Sequence, residues 1–168
     1  MLHALLPQAV ERGGRGVEAL LRRCLQHVET CAACAIMDGM TEPQTLYQLI
    51  GGAGKLRDMV DRFYDVMELE REFGGIRTLH PPSTDGSRDK LYWFLTGWMG
   101  GPDEYIERFG HPRLRARHLP YAIGTSERDQ WLRAMALAMQ DVGIEESLQL
   151  RLMESFYQTA DWMRNKPD

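Results

Sequence analysis

From Lys55 to Leu69 an apolar ladder is formed by Leu56, Met59, Val60, Phe63, Tyr64 and Met67. Steps of three and four residues place them on one face of a helix, and Tyr64 falls on that face although it carries a hydroxyl. A second ladder, Leu91, Phe94, Leu95 and Trp98, predicts a helix that stops at Gly100-Gly101-Pro102. Glycine suits the C-terminal cap there, and proline cannot continue the helix. Ser87 or Asp85 is placed to cap its start. Trp131, Ala134, Met135, Ala138, Met139 and Val142 line a third helix, opened by Ser126 and Asp129 in capping-box spacing and closed by Gly143. The last helix runs over about Glu145–Arg164, with Leu148, Leu152, Phe156, Ala160 and Met163 inward. Thr45–Ile50 reads as a short helical turn, followed by a corner at Gly51-Gly52. Residues 73–87, broken by Pro81-Pro82 and Asp85-Gly86, read as irregular. Residues 103–124 read as a loop carrying short helical pieces. No alternating segment bounded by turns competes, so the fold class is all-α.

Composition narrows the picture only a little. The chain has 168 residues, 43% hydrophobic and 26% charged, enough for one domain with a real core. A formal net charge of -4 and the lack of any basic run give no reason to expect nucleic-acid binding. No run of about 18 apolar residues predicts a membrane span. Met1–Val10 is apolar, but charges follow at once and no small-residue cleavage site stands out, so the cytoplasm is the default expectation. Cys24, Cys31 and Cys34 all lie before residue 40. Cys31-Ala32-Ala33-Cys34 has redox spacing without a βαβ context, and Ala35 stands where covalent c-type haem attachment needs a histidine. Residues 1–39 read as an N-terminal extension, disordered or a single helix over Val17–Val28. It is either the product of an upstream start codon or a segment that docks on the domain or a partner. Met40-Thr41-Glu42-Pro43 then opens the domain expected over residues 40–168.

The candidate chemistry centres on Gly110-His111-Pro112-Arg113-Leu114-Arg115-Ala116-Arg117-His118-Leu119-Pro120-Tyr121. His118 ends a short helical piece between two prolines, which limit how far the ring-bearing backbone can drift. A neutral imidazole held in this way suits an iron ligand. His111, just before Pro112, is the rival; hydrogen bonding a loop or capping a turn is the better role for it.

Taken in order, the motifs resemble the truncated haemoglobins, and within them the second group. The resemblance covers roughly the last 120 residues. It rests on the glycine pairs Gly51-Gly52 and Gly100-Gly101, on Arg62-Phe63-Tyr64, on Phe94-Leu95 before Gly100-Gly101-Pro102, and on Gly110-His111-Pro112, Arg117-His118 and Glu127-Arg128-Asp129-Gln130-Trp131-Leu132. It implies two antiparallel helix pairs packed across each other around a haem, a shortened globin fold. His118 then matches the proximal iron ligand, with a solvent-exposed histidine as the plain alternative. Tyr64 matches the distal tyrosine, against a core tyrosine bonded to a backbone carbonyl. Trp131 matches the tryptophan that marks the second group, against an ordinary core tryptophan. His80 falls at a corner where relatives carry an aromatic or a histidine, with Leu79 as the alternative register. Ser87 stands one turn before Leu91, where other globins carry a distal histidine, and Leu91 would press on the haem face. Phe63, Phe94, Leu95, Leu114, Tyr121, Ile123 and Met135 are expected as apolar haem contacts. Lys90 and Arg117 are candidates for the propionates, although a solvated face accounts for both equally well.

The resemblance implies a non-covalent haem b whose iron leaves one side open to dioxygen, nitric oxide, carbon monoxide or sulfide. Converging donors would slow dioxygen release, which fits oxygen-dependent chemistry or sensing better than delivery. No GxGxxG follows a predicted strand, so turnover would need a separate reductase. A monomer or a homodimer is expected. Two other classes stay open: a haem enzyme proper, a nitric oxide dioxygenase or peroxidase, and a haem-free helical interaction module. The inward polar groups Tyr64 and Trp131 argue against the latter, because they make an empty core costly.

Overall fold

Each of the predicted apolar ladders lies on a helix. The computed structural model describes residues 43–167, and among these it contains no strand. The expected extension, its Val17–Val28 helix and the three cysteines lie outside the described residues. The elements are α1 (Leu46–Ile50), α2 (Gly52–Leu69), a 3-10 turn (Arg71–Phe73), α3 (Gly74–Thr78), α4 (Asp85–Trp98), α5 (Glu104–Phe109), α6 (Leu114–His118), α7 (Thr125–Asp141) and α8 (Glu146–Met163). Helix α2 packs on α4, α7 packs on α8, and the two pairs meet where α2 lies against α7. This is the two-over-two arrangement of a shortened globin. The core lies mainly at that meeting: Leu56, Met59, Val60, Phe63 and Val66 of α2 and Ala134, Met135, Ala138 and Met139 of α7 are all fully buried.

Gly51 closes α1 and opens α2 with φ 104°, a left-handed conformation that glycine adopts without strain. At the other corner, a Cβ on Gly101 would stand 2.8 Å from the Tyr47 ring and 2.9 Å from the Thr96 carbonyl oxygen. Only glycine lets these chains approach so closely, and the Tyr47 N–H donates to Met99 O at 2.9 Å beside it.

Three local expectations are corrected. Helix α7 is capped by Gly124, whose N–H donates to the Glu127 carboxylate at 2.8 Å, and not by Ser126 and Asp129. The Ser126 hydroxyl instead accepts from Gln130 Nε2, and Asp129 pairs with Arg128. Trp131 therefore sits two turns after the cap. Helix α4 begins at Asp85 after Thr84, with no side-chain cap. The Thr84 hydroxyl, free of that task, donates to Glu68 at 2.6 Å. Finally, residues 73–87 are not wholly irregular. Helix α3 forms there because Ile76 enters the core and because Gln130 of α7 accepts from its N–H at 3.1 Å. Sequence periodicity cannot register a tertiary contact of that kind.

Candidate functional site

Helix α4 leaves much of its apolar ladder unfinished. Leu95 is buried, yet Leu91, Phe94 and Trp98 are only half-buried. Their free faces line a cavity of about 380 Å³, walled on the far side by α6 and α8 and closed at its inner end by α2, α3 and α7. Leu114, Ile123, Phe156, Ala160 and Met163 continue the apolar lining.

His118 stands on the α6 wall. Its Nδ1–H donates to the Leu114 carbonyl oxygen at 2.7 Å, one turn back. That bond fixes the neutral ring's tautomer and leaves Nε2 with the free lone pair, which is the form a metal takes up. His111 does not line this cavity; its Nδ1 accepts from the Arg113 N–H at 3.1 Å, the turn-capping role its position suggested.

Three polar side chains gather at the inner end. Tyr64 is 4% exposed and lies edge-on to both Phe63 and His80, with ring centroids 5.0 and 5.7 Å away. Burial pushes its phenol well above the ordinary value, opposed by the Arg88 charge and by a hydrogen bond with Ser87. The Arg88 guanidinium lies over the Tyr64 ring at 5.3 Å and is itself held by Asp65 and Glu68. Tyr64 therefore keeps its proton and remains a donor. Trp131 reaches the cavity between Phe63 and Phe156, with centroids 5.4 and 5.6 Å away. Its indole N–H only donates.

His80 also lines the cavity, as does Leu79, so both registers considered for that corner face the same space. The His80 Nδ1–H donates to Ile76 O at 2.8 Å. Burial lowers its pKa, the Ile76 bond opposes, and Arg77 and His118 lower it further. A neutral His80 bonded in this way shows the cavity an acceptor nitrogen. His80 is thus a third polar group at the cavity, beside Tyr64 and Trp131.

Residues 45–165 match the model of the bacterial-like globin family. The group 2 truncated hemoglobin YjbI of Bacillus subtilis is 36% identical over 122 residues, covering 73% of this chain and 89% of the relative. The group II 2-on-2 hemoglobin of Agrobacterium tumefaciens superposes with a TM-score of 0.73 at 37% identity, over 77% of this chain and 100% of that one. A truncated oxygen-avid haemoglobin from Bacillus subtilis superposes with a TM-score of 0.67 at 35% identity, over 73% of this chain and 100% of the other. The chain is a group II truncated haemoglobin, of the bacterial-like globin family. As a globin it is a haem-binding, oxygen-binding protein.

The globin's cavity fits a haem on its own chemistry. Its walls are half-packed apolar side chains, which a flat macrocycle would complete. One wall offers a nitrogen with a free lone pair. Lys90 and Arg117 stand exposed at its edge, where two carboxylates would meet cations. Among the described residues no group of three or more histidine, cysteine or carboxylate side chains could hold a metal ion.

Most of the expected contacts border this cavity: Tyr64, His80, Ser87, Lys90, Leu91, Phe94, Leu95, Leu114, Arg117, His118, Tyr121, Ile123 and Trp131. Phe63 and Met135 do not. Both are fully buried behind the wall. Helical neighbours diverge by about 100°, so a helix that aims Tyr64 at the cavity turns Phe63 into the α2–α7 interface. Met135 lies one turn past Trp131, deeper in the same interface. Sequence reasoning in turn missed Trp98, Phe156, Ala160 and Met163, which it had assigned to the inward faces of their helices. Trp98 and Phe156 stack 5.3 Å apart, at an interplanar angle of 16°. Core and cofactor faces share one hydrophobic signal, so only the spatial arrangement separates them.

Proposed function

We propose that this globin holds a non-covalent haem b through His118 and binds dioxygen under the control of Tyr64 and Trp131, serving nitric oxide or reactive-oxygen chemistry in preference to oxygen delivery. The observation that carries the reading is the shared cavity: a tautomer-fixed histidine on one wall, a protonated phenol and a donor-only indole at the inner end, and apolar walls between. A bound haem would supply an iron able to bind a diatomic gas. His118 would hold the iron through Nε2, and its Nδ1 bond to Leu114 keeps the ring from turning. Tyr64 and Trp131 each present a hydrogen to the space the gas would enter, favouring a ligand that carries partial negative charge. Arg88 lies over the Tyr64 ring, and Ser87, which also lines the cavity, hydrogen-bonds with the phenol. Lys90 and Arg117 meet the propionates at the rim. The oxygen-avid behaviour named for the similar Bacillus subtilis protein fits a pocket with two donors.

Visible absorption of the purified protein, reduced with dithionite and exposed to carbon monoxide, tests this beside His118→Ala. A haem band that shifts with carbon monoxide in the parent, and is lost or altered in the variant, is the expected result. Failure of both proteins to take up haem on reconstitution would overturn the reading and leave a helical interaction module.

A further inference from the structure

Helix α6 carries the iron ligand and contributes no buried residue to the core. Its main packing partner is α8, and what joins them is largely polar. The Arg115 guanidinium donates to the carbonyl oxygens of Trp162 and Arg164, at the end of α8. One residue further on, Asn165 binds the segment around the histidine itself. Its Nδ2 donates to the carbonyl oxygen of His118 at 3.1 Å and to that of Tyr121 at 2.8 Å. Its Oδ1 accepts from the Ile123 N–H at 3.1 Å. The main-chain N–H groups of Asn165 and Lys166 donate to the Ile123 carbonyl at 2.9 and 3.2 Å. A single side chain thus satisfies three main-chain groups over residues 118–123, a stretch with Leu119 57% and Tyr121 45% exposed.

We infer that Asn165 is a positioning residue for the iron ligand: the amide beyond the last helix fixes the main chain of His118 and so sets where Nε2 sits against the metal. The inference rests on the reading of His118 as that ligand. An apolar core cannot hold the ring's backbone in place, because α6 has none beneath it. The constraint comes from donors and acceptors whose directions are fixed, and Asn165 supplies them at both ends of the loop. No other standard side chain of this length presents two donors and an acceptor from one planar group. In Asn165→Asp the shape is retained, but an oxygen faces the His118 and Tyr121 carbonyls where an NH₂ donated. In Asn165→Ala the loop loses all three side-chain bonds and keeps its main-chain ones, the pair at Ile123 and the bond from the Tyr121 N–H to the His118 carbonyl.

The experiment uses the full chain loaded with haem, in the parent and in Asn165→Ala, Asn165→Asp, Lys166→Ala and His118→Ala. Resonance Raman spectra of the ferrous, gas-free proteins give the iron–histidine stretching band, and transfer to excess apomyoglobin gives the rate of haem loss. Both Asn165 variants are expected to broaden and shift the band and to lose haem roughly ten- to a hundredfold faster, the range seen for partners that orient metal ligands. Lys166→Ala, which keeps the main-chain bond, is expected to match the parent. Asn165→Asp guards against a simple packing loss, since it fills the same space. A parent-like band and rate in both Asn165 variants, with the band absent from His118→Ala, would overturn the positioning role alone. Equal changes in Lys166→Ala would overturn it too, by making the effect one of the tail in general. A band that persists in His118→Ala would remove the ligand assignment on which the inference stands.

Discussion

Tyr64 shows how one position can be legible in sequence while its surroundings are not. A hydroxyl on an otherwise apolar helical face marks it. Ser87 and Arg88, the groups that contact it, lie on another helix. The sequence marked Ser87 as a pocket candidate but gave no sign that it meets Tyr64, and Arg88 reads as an ordinary helix-surface residue. Tyr64→Phe keeps the ring and removes the donor. A hydrogen bond to a charged partner contributes about 1.5 kcal/mol or more, so dioxygen release, followed by stopped flow, should accelerate about tenfold. Release rates unchanged in Tyr64→Phe and in Trp131→Leu would end the two-donor account. His80 makes a second prediction through its lowered pKa. Below its unfolded value of about 6.5 the unfolded chain takes up a proton that the folded chain refuses, so stability falls as pH drops through that value toward the lowered one. Thermal unfolding between about pH 7 and pH 5 should therefore decline less steeply in His80→Leu than in the parent. An identical slope would remove His80 from the titration. His118 was legible for a different reason, since Pro112 and Pro120 frame it in the sequence itself.

Among elements, the long helices were readable because each buries a full stripe, and a stripe repeats often enough to be seen. Helix α3 was not, being five residues long and opening with two glycines. It exists through its partners. A Cβ on Gly75 would stand 2.7 Å from both terminal amide atoms of Gln130, the side chain that accepts from the Ile76 N–H. Gly75→Ala should push that amide aside and cost about 1 kcal/mol for the lost hydrogen bond, or about 2–4 °C in melting temperature for a chain of this size. Gln130→Ala should cost a similar amount, and the double variant little more than either single change. Additive losses would mean that Gly75 acts through another neighbour. The start of α7 was misread because Gly124-Thr125-Ser126-Glu127-Arg128-Asp129 holds two overlapping capping patterns. The structure uses the one whose glutamate reaches the Gly124 N–H.

For the molecule as a whole, a bound haem would complete the packing of the cavity walls. A ligand that binds only the folded state stabilises it by mass action, by about 4 kcal/mol when its free concentration is a thousandfold above Kd. Removing haem should therefore lower the melting temperature by roughly 10 °C or more at that saturation, and readdition should restore it. A melting curve indifferent to haem would contradict the cavity's role. The segment with most to lose is α6, which reaches the rest of the domain through α8 and has no buried residue of its own. Arg113, Arg115 and Arg117 all lie in or beside it, and trypsin cleaves after arginine. A haem held by His118 would shield three tryptic sites. Limited trypsin digestion should therefore cut the haem-free protein at this segment first.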